Sequence, residues 1–244
     1  MIGRFGGIPP VVKNLLIINI LMLFISFVFS SNFGMDLNRV LGLFFFESPH
    51  FEPYQIVTHM FMHGGLAHLF FNMFALWMFG RVLETVWGGK RFFIYFFTTG
   101  IGAAFLHTLV NYIEVQSAMA NLSPEQIATV KDEGTQLLMS GRNYVDDSMA
   151  NLNLAYNIPT VGASGAVFGV LLAFGMLFPN TQLLLLFPPI PIKAKYFVIA
   201  YGVIELYLGL TQPGSNIAHF AHLGGMLFGF ILIKYWNRSR RNFF

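Results

Sequence analysis

Six stretches of this chain are apolar over lengths that match a bilayer's hydrocarbon core, and that constraint outweighs every local preference. A spanning helix needs roughly 20 predominantly apolar residues. Windows 12–29, 66–86, 92–112, 161–178, 195–210 and 217–236 meet or approach that length. Backbone polar groups in lipid must be satisfied within the segment, so each window is read as a helix. The fold class that follows is all-α, a polytopic six-helix membrane bundle. The fifth window is the weakest, because it is short and holds Glu205. The first carries Val28-Phe29-Ser30, a pattern open to signal-peptide cleavage, but its apolar run is long for a leader and favours a retained span. Composition agrees: 10% of the residues are charged, against about 25% in soluble domains. The absence of cysteine excludes disulfides and thiolate metal sites.

The basic residues sort the two faces. With the N-terminus placed in the cytoplasm, every Lys and Arg except Arg39, Lys131 and Arg142 falls on the cytoplasmic side, whereas Glu84 is the one acid there. Both termini are therefore expected to be cytoplasmic. The short N-terminal segment and the absence of a transit peptide point to a bacterial-type plasma (inner) membrane. The net charge of +3 gives no ground for nucleic-acid binding. Two loops on the opposite face are long, about 31–65 and 113–159. The first is too aromatic for a solvated linker and is expected in the interface. The second is acidic, and its stretch SPEQIATVKDEGTQLLMSG reads as a short helix capped by Ser123. Residues 1–244 are read as one membrane domain with these two insertions.

Polar side chains inside spans are expensive and need a reason. His68 and Asn72 stand four apart on one face of the second span. Ser164 heads the fourth, about 5 Å below its outer end, and His222 lies about 8 Å inside the sixth. All four groups fall at similar depth in one leaflet. Gly165 and Gly169 on the fourth span, and Gly225 and Gly229 on the sixth, are small-xxx-small pairs that let helices approach closely. Contact between these spans would bring Ser164 to His222. A serine hydroxyl becomes a nucleophile when a base takes its proton, and histidine is the usual base. The resulting oxyanion needs donors, which His68, Asn72 and the Ser164 backbone N–H can supply. Gly162 and Gly165 would leave room for a substrate backbone beside the serine. No carboxylate is well placed as a third member, Glu205 being the only acid considered as an orienter, so the site reads as a dyad. The sequence is not the hydrolase elbow either, because Gly165 follows the serine directly.

Four motifs in order resemble the rhomboid family of intramembrane serine proteases: HMFMHGGLAHLFFN ending at Asn72, GRVLETVWGGKRF containing Glu84, GASG at Ser164, and AHLGGMLFG at His222, Gly225 and Gly229. The resemblance covers about three-quarters of the chain. It implies a six-helix rhomboid-like bundle, a Ser164–His222 dyad, and an oxyanion hole of His68, Asn72 and the Ser164 amide. It implies that Phe168, one turn after the serine, stacks on the catalytic imidazole. It further implies a serine endopeptidase that cleaves membrane-protein substrates in or next to their spans, with lipid as its surroundings and no cofactor or metal. The first loop departs from the family by lacking a Trp-Arg pair, and the 113–159 segment is longer than in compact relatives.

Two other readings stand beside this one. A rhomboid-like protein could bind transmembrane helices without cutting them. A metal or haem protein could use His59, His63, His68, His219 and His222 as ligands, but that leaves GASG unexplained. His219 is read as an interface residue and His59 and His63 as loop-packing or water-holding groups. His107, Asn111 and Tyr112 are read as interhelical hydrogen-bonding partners.

Overall fold

The computed structural model describes residues 7–184, 189–211 and 218–241, and helices occupy all six apolar windows. Helix α1 (Pro10–Phe33) starts with proline at its first position, where the missing N–H costs nothing. The N–H groups of Val11 and Val12, without partners inside the helix, donate to the two Glu84 carboxylate oxygens at 2.9 and 2.7 Å. A carboxylate from another helix thus caps the positive end of α1. The helix stops at Gly34, whose φ of 64° is the left-handed conformation that glycine adopts freely.

Short helices α2 (Leu37–Leu41) and α3 (Gln55–Thr58), with a 3₁₀ turn at His59–Phe61, shape the first loop. Buried Gln55 ties it together, accepting from Phe44 and Glu52 N–H and donating to the Val40 and His50 carbonyls. Phe44, Phe45, Met60 and Met62 are buried as well. The loop is a folded plug against the helices.

The second span is one rod of 22 residues, Leu66–Trp87. It comprises α4 (Leu66–Ala75), a π-helical turn at Leu76–Gly80, and α5 (Arg81–Trp87). A π turn inserts a residue and re-phases the faces on either side. Asn72 before the turn lines the central cavity, and Glu84 after it reaches the α1 terminus.

Helix α6 (Gly89–Ala120) has 32 residues, roughly 48 Å at the helical rise, and outruns a hydrocarbon core of about 30 Å. Its projecting end carries α7 (Pro124–Met139) and α8 (Asp147–Asn157). Val115 and Ala118 of α6 pack there with Phe45, Val130, Leu152 and Tyr156 in a second, smaller core. Helix α7 starts at the expected cap: Gln126 N–H donates to Ser123 Oγ, and Ser123 N–H donates to Gln126 Oε1.

Helix α9 (Ser164–Leu177) has only 14 residues and most of them are buried. It is shorter than a full span because the chain before it stays extended. Leu43 and Thr160 exchange backbone hydrogen bonds of 2.9 and 2.8 Å, and Gly162 N–H donates to the His59 carbonyl at 2.9 Å. A two-strand hairpin, β1 (Gln182–Leu184) with β2 (Pro191–Lys193), leads into α10 (Ala194–Thr211), and α11 (His219–Arg241) closes the bundle. Before α10, Pro188 lies outside the described residues and Pro191 belongs to β2. Ile217, where the sixth window opens, is likewise outside them.

The glycine pairs divide their work. A Cβ on Gly225 would overlap the Gly165 backbone, so α9 and α11 touch there. Gly169 and Gly229 instead make room for Thr99 and Tyr95 of α6. Tyr95 uses that room to donate to the Gly169 carbonyl at 2.8 Å. Among the described residues, four helices, Pro10–Phe33, Leu66–Trp87, Gly89–Ala120 and Ala194–Thr211, are long and apolar enough to cross a membrane. The architecture is an all-α polytopic bundle wrapped around α9.

Candidate active site

A cavity of about 1390 Å³ opens among α4, α6, α8, α9, α10 and α11. Ser164, His222, His68 and Asn72 all line it. The recessed start of α9 sets the depth of Ser164, and the Gly165–Gly225 contact brings α11 against it. Ser164 Oγ lies 2.9 Å from His222 Nε2. The Phe168 ring stacks on the His222 imidazole, with centroids 4.1 Å apart and planes within 3°. Sliding and tilting of the imidazole are thereby blocked on one face.

His68 sits against the serine's own loop. A Cβ on Gly162 would lie 2.8 Å from His68 Nε2 and 3.6 Å from Ser164 Oγ. Gly162 also has φ of 127°, a conformation that side-chain-bearing residues rarely adopt. The space expected for a substrate backbone at Gly162 is thus taken by the His68 ring. The space at Gly165 is taken by Ala103 of α6 and the Ala221 carbonyl. Both glycines serve close packing of the site walls. Asn72 Nδ2 donates to the His68 carbonyl at 3.1 Å, which uses one of its two hydrogens. His68 Nδ1 accepts from Gly64 N–H at 3.4 Å, leaving Nε2 as the nitrogen toward Gly162 and the serine. Ser164 is the first residue of α9, so its own N–H is one of the helix's unpaired donors.

Two histidines flank this group. His59 is buried, and its Nδ1–H donates to the Gln55 carbonyl at 2.8 Å. His63 is buried with neither ring nitrogen bonded, and it meets His68 edge-on at 5.1 Å. Burial lowers both pKa values to about 4; for His63 the neighbouring His68 adds to the shift. His107 of α6 bonds Thr160 Oγ1, in the extended segment before α9, at 2.7 Å and Asn111 of its own helix at 3.3 Å, so it ties helix to loop rather than helix to helix. Tyr112 instead stacks on Phe46.

The structure corrects the sequence reading at Glu205 and His219. Glu205 Oε2 lies 2.9 Å from His222 Nδ1 and 2.7 Å from His219 Nδ1, and all three residues are buried. A carboxylate does occupy the third position behind the histidine, and His219 is not an interface residue. The signal was present in the fifth window. Ala194, Val198, Gly202, Glu205 and Gly209 fall at helical spacing on one stripe. Gly202 and Gly209 on that stripe approach Met226 and Phe220 of α11. Ala194 and Val198 at its start pack on Gly175 of α9, whereas its later part, Gly202 to Gly209, faces α11, and Glu205 rides on that part. Among the described residues, Glu205, His219 and His222 are also the one group of three with ligand atoms close enough to share a metal ion. The other histidines of the metal reading, His59, His63 and His68, are not part of it.

Positions 13–243 match the family model described as "Eukaryotic integral membrane protein (DUF1751)". The chain is 28% identical over 184 residues to "Rhomboid protein 1, mitochondrial" of Saccharomyces cerevisiae, covering 75% of this chain and 42% of that protein. It is 27% identical over 237 residues to "RHOMBOID-like protein 12, mitochondrial" of Arabidopsis thaliana, covering 96% and 60%. It is 26% identical over 184 residues to "Rhomboid protease GluP" of Bacillus subtilis, covering 73% and 25%. The chain thus spans between a quarter and three-fifths of the length of these curated relatives.

These matches overturn the assignment to a bacterial plasma membrane. The matching family is eukaryotic, and mitochondrial proteins from yeast, plant and animals are among the relatives. The physical reason is plain. The assignment rested on the short N-terminal segment and the absence of a recognisable transit peptide, which do not identify a membrane, and an asymmetry of basic residues distinguishes only the two faces of a bilayer.

Proposed function

This chain belongs to the eukaryotic, rhomboid-like family of integral membrane proteins designated DUF1751, and on that premise we propose that it is an intramembrane serine endopeptidase acting on transmembrane protein substrates. The observation that carries the reading is the 2.9 Å contact of Ser164 Oγ with His222 Nε2 inside a large cavity within the bundle. In this mechanism His222 Nε2 takes the proton of the Ser164 hydroxyl as its oxygen bonds to the scissile carbonyl carbon. The carbonyl oxygen becomes an oxyanion, for which His68 Nε2, the second Asn72 amide hydrogen and the Ser164 N–H are the nearby donors. The imidazolium then returns its proton to the leaving amine as the C–N bond breaks. Water, activated by the same histidine, releases the acyl group from Ser164.

The cavity supports the lipid-embedded side of this reading. Phe71, Phe74 and Met78 of the second span and Phe197 and Tyr201 of α10 are among its lining residues. A substrate helix can enter between these two elements, and an apolar lining suits its side chains. The polar residues Ser148 and Asn151 of α8 also line the cavity and offer a path for the water that releases the acyl group.

The test is cleavage of a model transmembrane substrate by purified protein. Wild type should cut it and label with a fluorophosphonate, Ser164→Ala should do neither, and chelators should leave cleavage intact. Equal cutting by Ser164→Ala removes the nucleophile. Loss on chelation with restoration by metal favours the ligand set Glu205, His219 and His222. Binding of the substrate helix without cleavage makes the protein a silent binder.

A further inference from the structure

We propose that Glu205, held by His219, is a positioning residue that fixes the tautomer of His222 and completes a serine–histidine–carboxylate relay across three helices. This rests on the serine protease reading and adds a residue to it. For His222 to accept the Ser164 proton at Nε2, that nitrogen must be unprotonated, so Nδ1 must carry the hydrogen. An ionised carboxylate can only accept. With Oε2 at 2.9 Å from His222 Nδ1, Glu205 requires the hydrogen to be there. The same oxygen accepts from His219 Nδ1–H at 2.7 Å, and two lone pairs suffice for both.

His219 matters because it orients the carboxylate. It stands one turn before His222 on α11, its ring at 89° to the other, so the two imidazoles approach Oε2 from different directions. Gly209 of α10 lies against His219 Cβ and Phe220, which lets α10 come near enough for the contact. Phe168 stacks on one face of the His222 ring and Glu205 holds its edge, so the imidazole is fixed in both respects. After proton transfer His222 is a cation, and a carboxylate at 2.9 Å in a buried site stabilises it strongly. The other titratable groups near this cluster are His68 on α4, His107 on α6 and Tyr201 on α10. None of these three is hydrogen-bonded to His222 among the contacts described.

A purely structural bridge between α10 and α11 would use the same contacts, so the experiment must separate the two roles. Glu205→Gln keeps the size and one acceptor but allows the wrong tautomer. For the purified protein it should lower kcat about 10²–10⁴-fold with KM changed less than about twofold. Glu205→Asp should recover part of kcat. A kcat within about threefold of wild type in a folded Glu205→Gln protein overturns the proposal, as does a loss no larger than the loss of folded protein. The second measurement needs neither a variant of Glu205 nor turnover. Nitrogen-15 histidine NMR of the wild type, with His222 assigned by its disappearance in His222→Gln, should show hydrogen on Nδ1 with a low-field proton. Hydrogen on Nε2 overturns the proposal. Hydrogen on Nδ1 in a wild type that cleaves nothing leaves the carboxylate–imidazole link standing and rejects the protease reading alone.

Discussion

At the scale of single residues, the site is built from side chains that each have little freedom left. Phe168 lies on the His222 ring, Glu205 holds its Nδ1, and Ser164 meets its Nε2. Asn72 is held by a hydrogen bond to its own helix at the His68 carbonyl, which leaves one amide hydrogen for an oxyanion. Replacing Asn72 by alanine should therefore lower kcat by up to about 10²–10³-fold with the substrate's KM little altered. Steady-state kinetics on the model substrate reads this directly, and an unchanged kcat removes Asn72 from the hole. Gly162 shows the same economy from the backbone side. Any side chain there meets His68 Nε2 at 2.8 Å, in a conformation with φ of 127°.

Elements contribute by where they stop and what they leave uncovered. Helix α9 begins within the bundle because the extended segment before it is pinned to Leu43 and His59, and so Ser164 is recessed. Helix α10 is the loosest wall: its buried residues are Ala194, Val198 and Glu205, Phe197, Gly202, Leu208 and Gly209 are among its half-buried ones, and most of the rest is exposed. It shares the cavity lining with the second span. An engineered disulfide joining α10 to the second span should slow cleavage of transmembrane substrates at least about tenfold, taking lid motion as the step that admits them. Labelling by a small soluble fluorophosphonate should be nearly unaffected, because the tether keeps Glu205 on His222. Equal slowing of both reactions would mean the tether distorts the site, and no slowing of either would place the entrance elsewhere. Reduction of the disulfide provides the control.

The whole molecule joins two cores, one around α9 and one under α7 and α8, with the first loop wedged beside both. That loop carries a pH liability. His59 and His63 have pKa values of about 4 in the folded protein, both lowered chiefly by burial, against roughly 6.5 when solvated. Between those values the unfolded chain binds protons that the folded chain refuses. Stability is therefore complete above about pH 6.5 and falls as pH drops toward 4. Each histidine contributes a loss on the order of 3 kcal/mol by the low end of that window. Thermal unfolding in detergent across pH 4 to 7 should show a falling Tm, and the slope should lessen in His63→Asn. A Tm independent of pH over that range would show that the loop histidines are solvated.

The sequence by itself determined the six apolar windows, the glycine faces and the residues Ser164 and His222, because spanning lipid demands long uninterrupted hydrophobic runs and makes any polar intruder conspicuous. The capped helix at Ser123 was legible for the same local reason: its donors and acceptors lie within four residues. Only the tertiary structure decided that Glu205 lies behind His222, that Gly162 and Gly165 make room for protein rather than substrate, and that Glu84 caps a helix more than 70 residues away. Those facts depend on how far each helix is rotated about its axis and how closely two of them approach. Lipid imposes no such phase on a uniformly apolar surface; it is set by which small residues meet across each interface, a property of pairs of helices that no single segment contains.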